Sequence, residues 1–189
     1  VAAVDLADGT RLLVNTRDRG IGRLTYSRMD PDATAGGGIE AVAKLIGEEY
    51  GPQYLNQKTL VDVGANIGAS TITWLRRGMG AAVAVEPERS NYILLQANLL
   101  LAGLADQAVC YEAAATDQPR QVELEIARSN FGDHRIRTGA AGLAGSYGEE
   151  YRQVVHVRGR PLDSILANAG VQPQQVGLLW VDTQGHEGQ

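Results

Sequence analysis

The sequence predicts an α/β fold with a doubly wound, mainly parallel sheet. Short apolar runs at 60–63, 81–85, 108–111 and 176–181 are typical of buried strands. Segments with helical spacing of apolar residues separate the first of these runs, as in βαβ units. The first run also leads into a glycine-containing turn, read VGANIG. In such a sheet, ligands bind outside the carboxyl ends of the strands.

The elements before the first buried strand are short. Residues 11–15 and 23–28 predict a leading pair of strands, and the glycines at 36–38 predict a turn. Apolar residues recur at helical spacing over 39–46, and Gly51-Pro52 stops the pattern. We therefore expect a helix between the leading strands and the first buried strand.

The later elements alternate between helix and strand. A helix begins near Ala69, and a second one over 89–101 is marked by Pro87 before it and Gly103 after it. Residues 121–126 alternate as a strand, and so do residues 153–158, which include His156. The glycine-rich stretch at 129–150 predicts a mobile loop over the site, for which simple disorder is the alternative.

Composition and charge favour one cytoplasmic enzyme domain. The chain has 189 residues, 44% of them apolar, and a formal net charge of -5. The acidic balance disfavours nucleic acid as a partner, and no apolar run approaches the roughly 18 residues of a membrane span. No signal peptide is recognised, and the single Cys110 fits a reducing compartment. We expect residues 1–58 to lead into a core at 59–189, without a linker between two domains.

The turn after the first buried strand predicts a nucleoside site. Gly64 and Gly68 allow a tight turn, and the helix that follows presents free N–H groups to a carboxylate or phosphate. Glu86 ends the next strand, where an acid can accept hydrogen bonds from ribose hydroxyls. Two glycines in a strand-to-helix turn are common in proteins that bind no nucleotide. The combination with Asp62, Asn66 and Glu86 favours binding.

The spacing of the small residues distinguishes between ribose-bearing ligands. A dinucleotide fingerprint needs small residues at all three positions of G-x-G-x-x-G, and here the middle position is Asn66. The pattern D-x-G-A-N-x-G resembles motif I of class I S-adenosylmethionine methyltransferases. A nicotinamide-dependent reductase is therefore the less favoured reading.

A second group of residues narrows the resemblance. The strand at 176–181 ends in Asp182-Thr183-Gln184-Gly185-His186-Glu187, a D-x-x-G-x-E pattern. With VDVGANIG, Glu86-Pro87, the SNFG segment at 129–132 and the RPLDSI run at 160–165, the chain resembles the FkbM family of methyltransferases. The resemblance covers roughly residues 4–187 and implies a Rossmann-like enzyme that methylates a hydroxyl, often of a sugar or natural product.

The resemblance assigns residues to roles. The cofactor positions that the resemblance implies are Asp62, Gly64, Ala65, Asn66, Gly68, Glu86, Glu112 and Ala113. Asp62 suits the ammonium of the methionyl part, and Glu112-Ala113 follows the strand near which the family contacts adenine. As an exposed strand end, Glu112 also has a structural reading. Ser129 and Asn130 are expected to contact the substrate.

Three residues are candidates for the general base: Asp182, His186 and Glu187. The pKa of a histidine suits neutral pH, but His186 occupies a variable position of the pattern and is equally read as a surface side chain. Alternatively, Asp182 is not the base but orients the acceptor by a hydrogen bond. Glu187 likewise has a structural alternative, in which it caps the N-terminus of a following helix. Positioning of the acceptor can lower the barrier by about 7 to 11 kcal/mol, more than a base typically contributes.

No metal site is predicted, since neither His134, His156 nor His186 has a second ligand at a suitable spacing. His134 lies beside the SNFG segment and is a weak candidate for substrate contact. A divalent cation held by Asp182 and Glu187 is not excluded.

Gln189 follows directly after the D-x-x-G-x-E pattern, where the resemblance implies another helix and further strands. We therefore expect a sheet that lacks its C-terminal strands, with an open edge that absent residues or a second copy of the chain would cover. The leading function is S-adenosylmethionine-dependent O-methyl transfer. The alternative from another class is a non-catalytic nucleoside-binding or assembly module.

Overall fold

The structure is a computed structural model that describes residues 1–22, 38–137 and 152–184. The strands in chain order are β1 (Ala2–Asp5), β2 (Arg11–Val14), β3 (Thr59–Val63), β4 (Ala81–Glu86), β5 (Ala108–Glu112), β6 (Ala114–Ala115), β7 (Arg120–Ile126), β8 (Arg135–Ile136), β9 (Gln153–Arg160) and β10 (Val176–Val181). The helices are α1 (Ile39–Tyr50), α2 (Ala69–Arg76), α3 (Arg89–Leu101) and α4 (Leu162–Asn168). Short 3₁₀ turns lie at Ala105–Gln107, Phe131–Asp133 and Pro173–Gln175.

The central sheet has four parallel strands in the order β10-β3-β4-β5. Every residue of β3 is buried, as its continuous apolar sequence predicts for an interior parallel strand. The chain moves outward from β3 to β5 and then returns to place β10 on the other side of β3. This reversal is the topological switch point, and the predicted doubly wound α/β fold is confirmed.

Helices cover both faces of this sheet because side chains alternate along each strand. On β4, Ala82 and Ala84 face the larger core, which includes residues of α2 and α3. Val83 and Val85 face the opposite side, where they pack with Ile165 of α4. The small alanines allow close helix packing on the larger-core face.

A second four-stranded sheet, in the order β6-β9-β7-β8, lies apart from the first. Its long pair is antiparallel, with Arg120 opposite Gly159 and Ile126 opposite Gln153. The individual strands at 121–126 and near 153–158 follow from their alternation, but their grouping into a separate sheet does not. Buried Glu125 forms ion pairs with Arg135 at 3.0 Å and with Arg137 at 2.9 Å, joining β7 to β8.

The N-terminal pairing differs from the prediction. The partner of β2 is β1, with Ala2 opposite Val14, and the predicted partner at 23–28 lies outside the described residues. The hairpin is held to α3 by Asn98, whose side chain accepts from Leu13 N at 2.6 Å and donates to Leu13 O at 3.0 Å. Most of the predicted turn at 36–38 and of the predicted loop at 129–150 also lies outside the described residues. In the part of the chain described, no helix is both long and apolar enough to cross a membrane.

Gly64 marks the closest approach between two parts of the sheet. Its φ is 86°, and an added Cβ would lie 2.0 Å from the carbonyl oxygen of Asp182. Asp182 N meanwhile donates to Val63 O at 2.9 Å, which extends the β3–β10 ladder to this point. The absence of a side chain at Gly64 is therefore required by the approach of the Asp182 backbone, in addition to the tight turn that the sequence predicts.

We predict that Gly64→Ala destabilises the fold far more than Gly103→Ala does. Both residues have positive φ, but an added Cβ at Gly103 meets nothing within 4 Å. Gly103→Ala should cost about 1–2 kcal/mol of unfolding free energy for its backbone conformation, and the clash at Gly64 should add about 1–3 kcal/mol. Chemical denaturation of the two variants measures the difference. Equal losses would contradict the close approach of Asp182.

Candidate functional site

The main cleft lies at the carboxyl ends of β3 and β4, beside the switch point. Its lining includes Gly64, Asn66, Glu86, Ala113 and Asp182. The cleft encloses about 510 Å³ of empty space, part of it open to solvent. Its position is the one that parallel α/β sheets use for ligands.

The loop between β3 and α2 is shaped by three residues with positive φ: Gly64 at 86°, Asn66 at 51° and Gly68 at 89°. Asn66 is an amide residue of the kind that tolerates this conformation. Its Oδ1 accepts from Ile67 N at 2.8 Å, and its Nδ2 donates to the carbonyl of Phe131 at 3.1 Å. Its side chain thus fills space that a dinucleotide fingerprint leaves open. Gly68 is the N-cap of α2, and an added Cβ there would meet Leu95 at 2.8 Å.

Glu86 is buried at the end of β4, with 4% of its surface exposed, yet it lines the cleft. Its Oε2 accepts from Asn66 N and its Oε1 from Glu88 N, each at 2.9 Å. Burial raises the pKa of Glu86 to about 7, although the two backbone donors act in the opposite direction. Each carboxylate oxygen has a second lone pair, so the side chain can still accept from ribose hydroxyls.

Asp62 lies under the loop and does not line the cleft. It is fully buried, and its Oδ2 accepts from Ser70 Oγ at 2.7 Å and from Thr71 Oγ1 at 2.5 Å. Burial raises its pKa to about 6. The structure therefore differs from the expectation that Asp62 meets an ammonium directly, because the first turn of α2 covers the carboxylate. Asp62 instead fixes that turn relative to β3. Its Oδ1 is buried and has no hydrogen-bond partner among the described residues.

The segment around Phe131 forms the wall opposite the loop. Its carbonyl accepts from Asn66 Nδ2 at 3.1 Å and from Asn91 Nδ2 at 3.2 Å. The Phe131 ring stacks on His134, with centroids 5.6 Å apart. Burial lowers the pKa of His134, and its Nδ1 accepts from Ala127 N at 3.0 Å. A neutral imidazole bonded in this way carries its proton on Nε2 and can donate to a ligand.

Asp182 stands between the main cleft and a smaller side hollow, which Ile21, Ala65 and Ser70 also line. The side chain of Asp182 is exposed, and its Oδ1 accepts from Gln184 Nε2 at 2.8 Å. Its backbone is fixed by the hydrogen bond to Val63 described above. A short, solvent-accessible acid on a rigid strand end is well suited to orient a ligand group.

The structure separates several residues that the sequence grouped in the site. Glu112 lies away from the cleft in a second groove and pairs with Arg89, because β5 turns its carboxylate toward α3. Ser129 and Asn130 do not line the cleft either. Asn130 instead accepts from Gly132 N at 3.3 Å and begins the 3₁₀ turn. His186 and Glu187 lie outside the described residues, so their assignments stay predictions.

Four residues of the cleft were missed or undervalued in the sequence. Phe131 and Gly132 line it, although the neighbouring Ser129 and Asn130 were the predicted contacts. Asn91 is 1% exposed in the first turn of α3 and also lines the cleft. A polar residue in a helix that is apolar on most of its surface was the available signal. His134, a weak candidate in the sequence, lies at the cleft.

Within the described ranges, no group of three or more His, Cys, Asp or Glu side chains could hold a metal ion. His156 lies on β9, as its place in an alternating segment predicts, and borders the second groove. Cys110 lies on β5, and burial raises the pKa of its thiol to about 11. The cation site considered for Asp182 and Glu187 stays an expectation, because Glu187 lies outside the described residues.

The parallel sheet, the glycine loop and the acid at the end of β4 define a Rossmann-like α/β fold with a candidate nucleoside site. The family model described as "Methyltransferase FkbM domain" matches residues 62–189. The chain belongs to the FkbM methyltransferase family, as its motifs predicted. No curated protein matches it significantly.

Solved structures resemble parts of the chain. A conserved hypothetical protein from Streptococcus pyogenes is 28% identical, with a TM-score of 0.32, over 38% of this chain and 44% of that one. The FkbM methyltransferase from Methylobacillus flagellatus is 17% identical, with a TM-score of 0.35, over 58% of this chain and 23% of that one. An RNA methyltransferase from Salinibacter ruber, in complex with S-adenosylhomocysteine, is 19% identical, with a TM-score of 0.34, over 41% and 49%. The chain spans less than half the length of each of these proteins.

We predict that Glu86 makes the stability of the protein depend on pH. Its pKa is about 7 in the folded protein against an ordinary value of 4.5, so the folded chain binds more protons between these pH values. The unfolding free energy should fall as the pH rises from about 4.5 to about 7. Asp62 adds to this fall over a lower range, since its pKa of about 6 is also raised from 3.8.

Glu86→Gln should reduce this dependence of the unfolding free energy on pH. The control is Glu112→Gln on β5, because Glu112 lies opposite Glu86 in the β4–β5 ladder; this variant should keep the pH dependence of the wild type. Urea denaturation at pH values near the two limits measures the change. An unaltered pH dependence in Glu86→Gln would mean that Glu86 titrates at its ordinary value.

Proposed function

We propose that the protein binds S-adenosylmethionine in the main cleft and transfers its methyl group to a hydroxyl oxygen of a small molecule, such as a sugar or natural product. The observation that carries this proposal is the hydrogen bond between Glu86, the residue proposed to bind the ribose, and the loop between β3 and α2. Glu86 Oε2 accepts from the backbone amide of Asn66, so the acid and the loop form one preorganised unit. Membership of the FkbM family supports the same cofactor.

The residues present fit this cofactor. Glu86 would accept hydrogen bonds from the ribose hydroxyls. Ala113, which also lines the cleft, offers a small apolar surface for the adenine ring. The start of α2 follows Gly68, which supplies no side-chain acceptor, and its backbone N–H groups suit the methionyl carboxylate. The side chain of Asn66 occupies the middle glycine position, which disfavours a pyrophosphate and therefore a nicotinamide cofactor.

S-adenosylmethionine, when bound, supplies an electrophilic methyl group. The role of the protein's own residues is to hold the acceptor oxygen in line with the methyl group and to exclude water. Asp182 is the favoured orienting acid, because it borders both the main cleft and the side hollow and its backbone is fixed to β3. A hydrogen bond from the acceptor hydroxyl to Asp182 would aim an oxygen lone pair at the methyl carbon. The hydroxyl proton would pass to Asp182, or to His186 or Glu187 as the alternative candidates for the base, and S-adenosylhomocysteine would leave as the product.

Calorimetric titration with S-adenosylmethionine, S-adenosylhomocysteine and NAD tests the cofactor. Glu86→Ala should weaken binding of the first two by roughly 10- to 100-fold, because a charge-assisted hydrogen bond is worth about 1.5–3 kcal/mol. The matched control is Glu112→Ala, which removes an acid at the same register position on β5, outside the cleft.

Glu112→Ala should bind as the wild type does. Equal weakening in both variants would argue against the assignment of Glu86 to the ribose. Binding of NAD in preference to S-adenosylmethionine would overturn the proposed cofactor, and cofactor binding without any methyl transfer would favour a non-catalytic module.

Asp182→Asn in the full-length protein should lower turnover by about 10²-fold or more while cofactor affinity stays within a few-fold. The substitution preserves shape but removes the charge that orients the hydroxyl. Turnover is measured as transfer of labelled methyl to a verified acceptor, and affinity by calorimetry. Near-normal turnover would make Asp182 structural and move the chemistry to His186 or Glu187.

A further inference from the structure

Residues that precede the matched family domain contact a segment that lines the main cleft. The family model begins at residue 62, but Asp18, near the end of the N-terminal described range, is 5% exposed and contacts the SNFG segment. Its Oδ1 accepts from Gly20 N at 2.8 Å and from Phe131 N at 2.9 Å, and its Oδ2 accepts from Gly22 N at 2.8 Å. One buried carboxylate thus organises a tight turn and also holds a residue that is 113 positions away.

The turn is packed closely against the SNFG segment. An added Cβ at Gly20 would lie 1.8 Å from Asn130 Oδ1, and one at Gly22 would lie 2.6 Å from the carbonyl of Asn15. Arg19 N also donates to the carbonyl of Ser129 at 2.5 Å. The contact between the two segments therefore includes backbone on both sides and does not depend on one side chain.

Phe131 is fixed at both of its backbone polar groups. Asp18 accepts from its N–H, and the side chains of Asn66 and Asn91 donate to its carbonyl. Asn66 N in turn donates to Glu86. A continuous series of hydrogen bonds therefore runs from Asp18 through Phe131 and Asn66 to the acid proposed to bind the ribose.

We infer that Asp18 is a positioning residue of the cofactor site and that it acts on this site through Phe131. This inference rests on the proposed function. With Asp18 in place, the peptide groups on both sides of Phe131 are held before the cofactor arrives. Without it, the N–H of Phe131 loses its acceptor and the wall of the cleft has to be ordered on binding. The cost of that ordering then appears as lost affinity.

The variant Asp18→Ala should bind S-adenosylhomocysteine about 5- to 30-fold more weakly, in the range of usual coupling between linked sites. The matched control is Asp8→Ala in the same N-terminal region. Asp8 also organises a turn, accepting from Thr10 N at 2.9 Å and from Thr10 Oγ1 at 2.8 Å, and it pairs with Arg76 at 3.6 Å, whereas the N–H of Phe131 donates to Asp18. Its removal should leave the affinity within about twofold of the wild type, well below the coupling range.

A conservative variant separates positioning from folding. In Asp18→Asn the amide oxygen should take the side with two donors, Gly20 and Phe131, and only the bond from Gly22 is lost. This variant should fold and recover most of the affinity, with slow hydrogen exchange at the Phe131 amide. In Asp18→Ala the same amide should exchange faster in the free protein.

Non-additivity provides the readout that a merely structural role would not give. Asn91→Ala removes a donor on the other side of Phe131, so its effect on affinity should be smaller in an Asp18→Ala background than in the wild type. If Asp18→Ala and Asp8→Ala bind alike, or if the two effects add, the inference is overturned while the proposed cofactor stands. If the wild type binds no S-adenosylhomocysteine, the proposed function and this inference both fail.

Discussion

The site depends on the contact between the backbone at Gly64 and the end of β10. The carbonyl of Asp182 occupies the space into which any side chain at position 64 would project. Because β10 must pair with β3 for the sheet to reverse direction, this contact is imposed by the topology and not by a ligand. It places the acid-bearing strand end beside the loop, and the crevice between them becomes the main cleft. A ligand site at this point is thus a consequence of how the two strands join.

Asp62 and Glu86 are two buried acids near the cleft, and they have different roles. Asp62 is covered by the hydroxyls of α2, so its raised pKa accompanies a structural task. Glu86 is also buried, yet it faces the cleft, and its two oxygens are already aligned by backbone amides. Preorganised acceptors need little rearrangement when a ligand arrives, which favours binding. Burial of an acid carries a stability cost, and the raised pKa of Glu86 is the visible sign of that cost.

Periodicity in the sequence was sufficient for β3, β4 and α3, which bury apolar side chains against the core. It was also sufficient for β10, whose apolar run forms a strand although Leu179 and Val181 are exposed. The pairing of β1 with β2 and the second sheet were not predicted, since partner choice depends on distant residues that local patterns do not encode. The same limit applies to the site. Glu86 and Glu112 both end parallel strands at the same register position, and only the packing around them directs one into the cleft and the other toward Arg89.

The hydrogen-bond network explains why only some residues of a motif line the site that the motif marks. In SNFG, Asn130 begins the 3₁₀ turn, and this turn presents Phe131 and Gly132 to the cleft. Phe131 is then held by amides from the loop after β3 and from α3. The N-terminal turn at Asp18 completes this arrangement from outside the matched domain. Segments far apart in sequence therefore have to fold together before the cleft has its shape, so cofactor affinity should report on the packing of segments that never touch the cofactor.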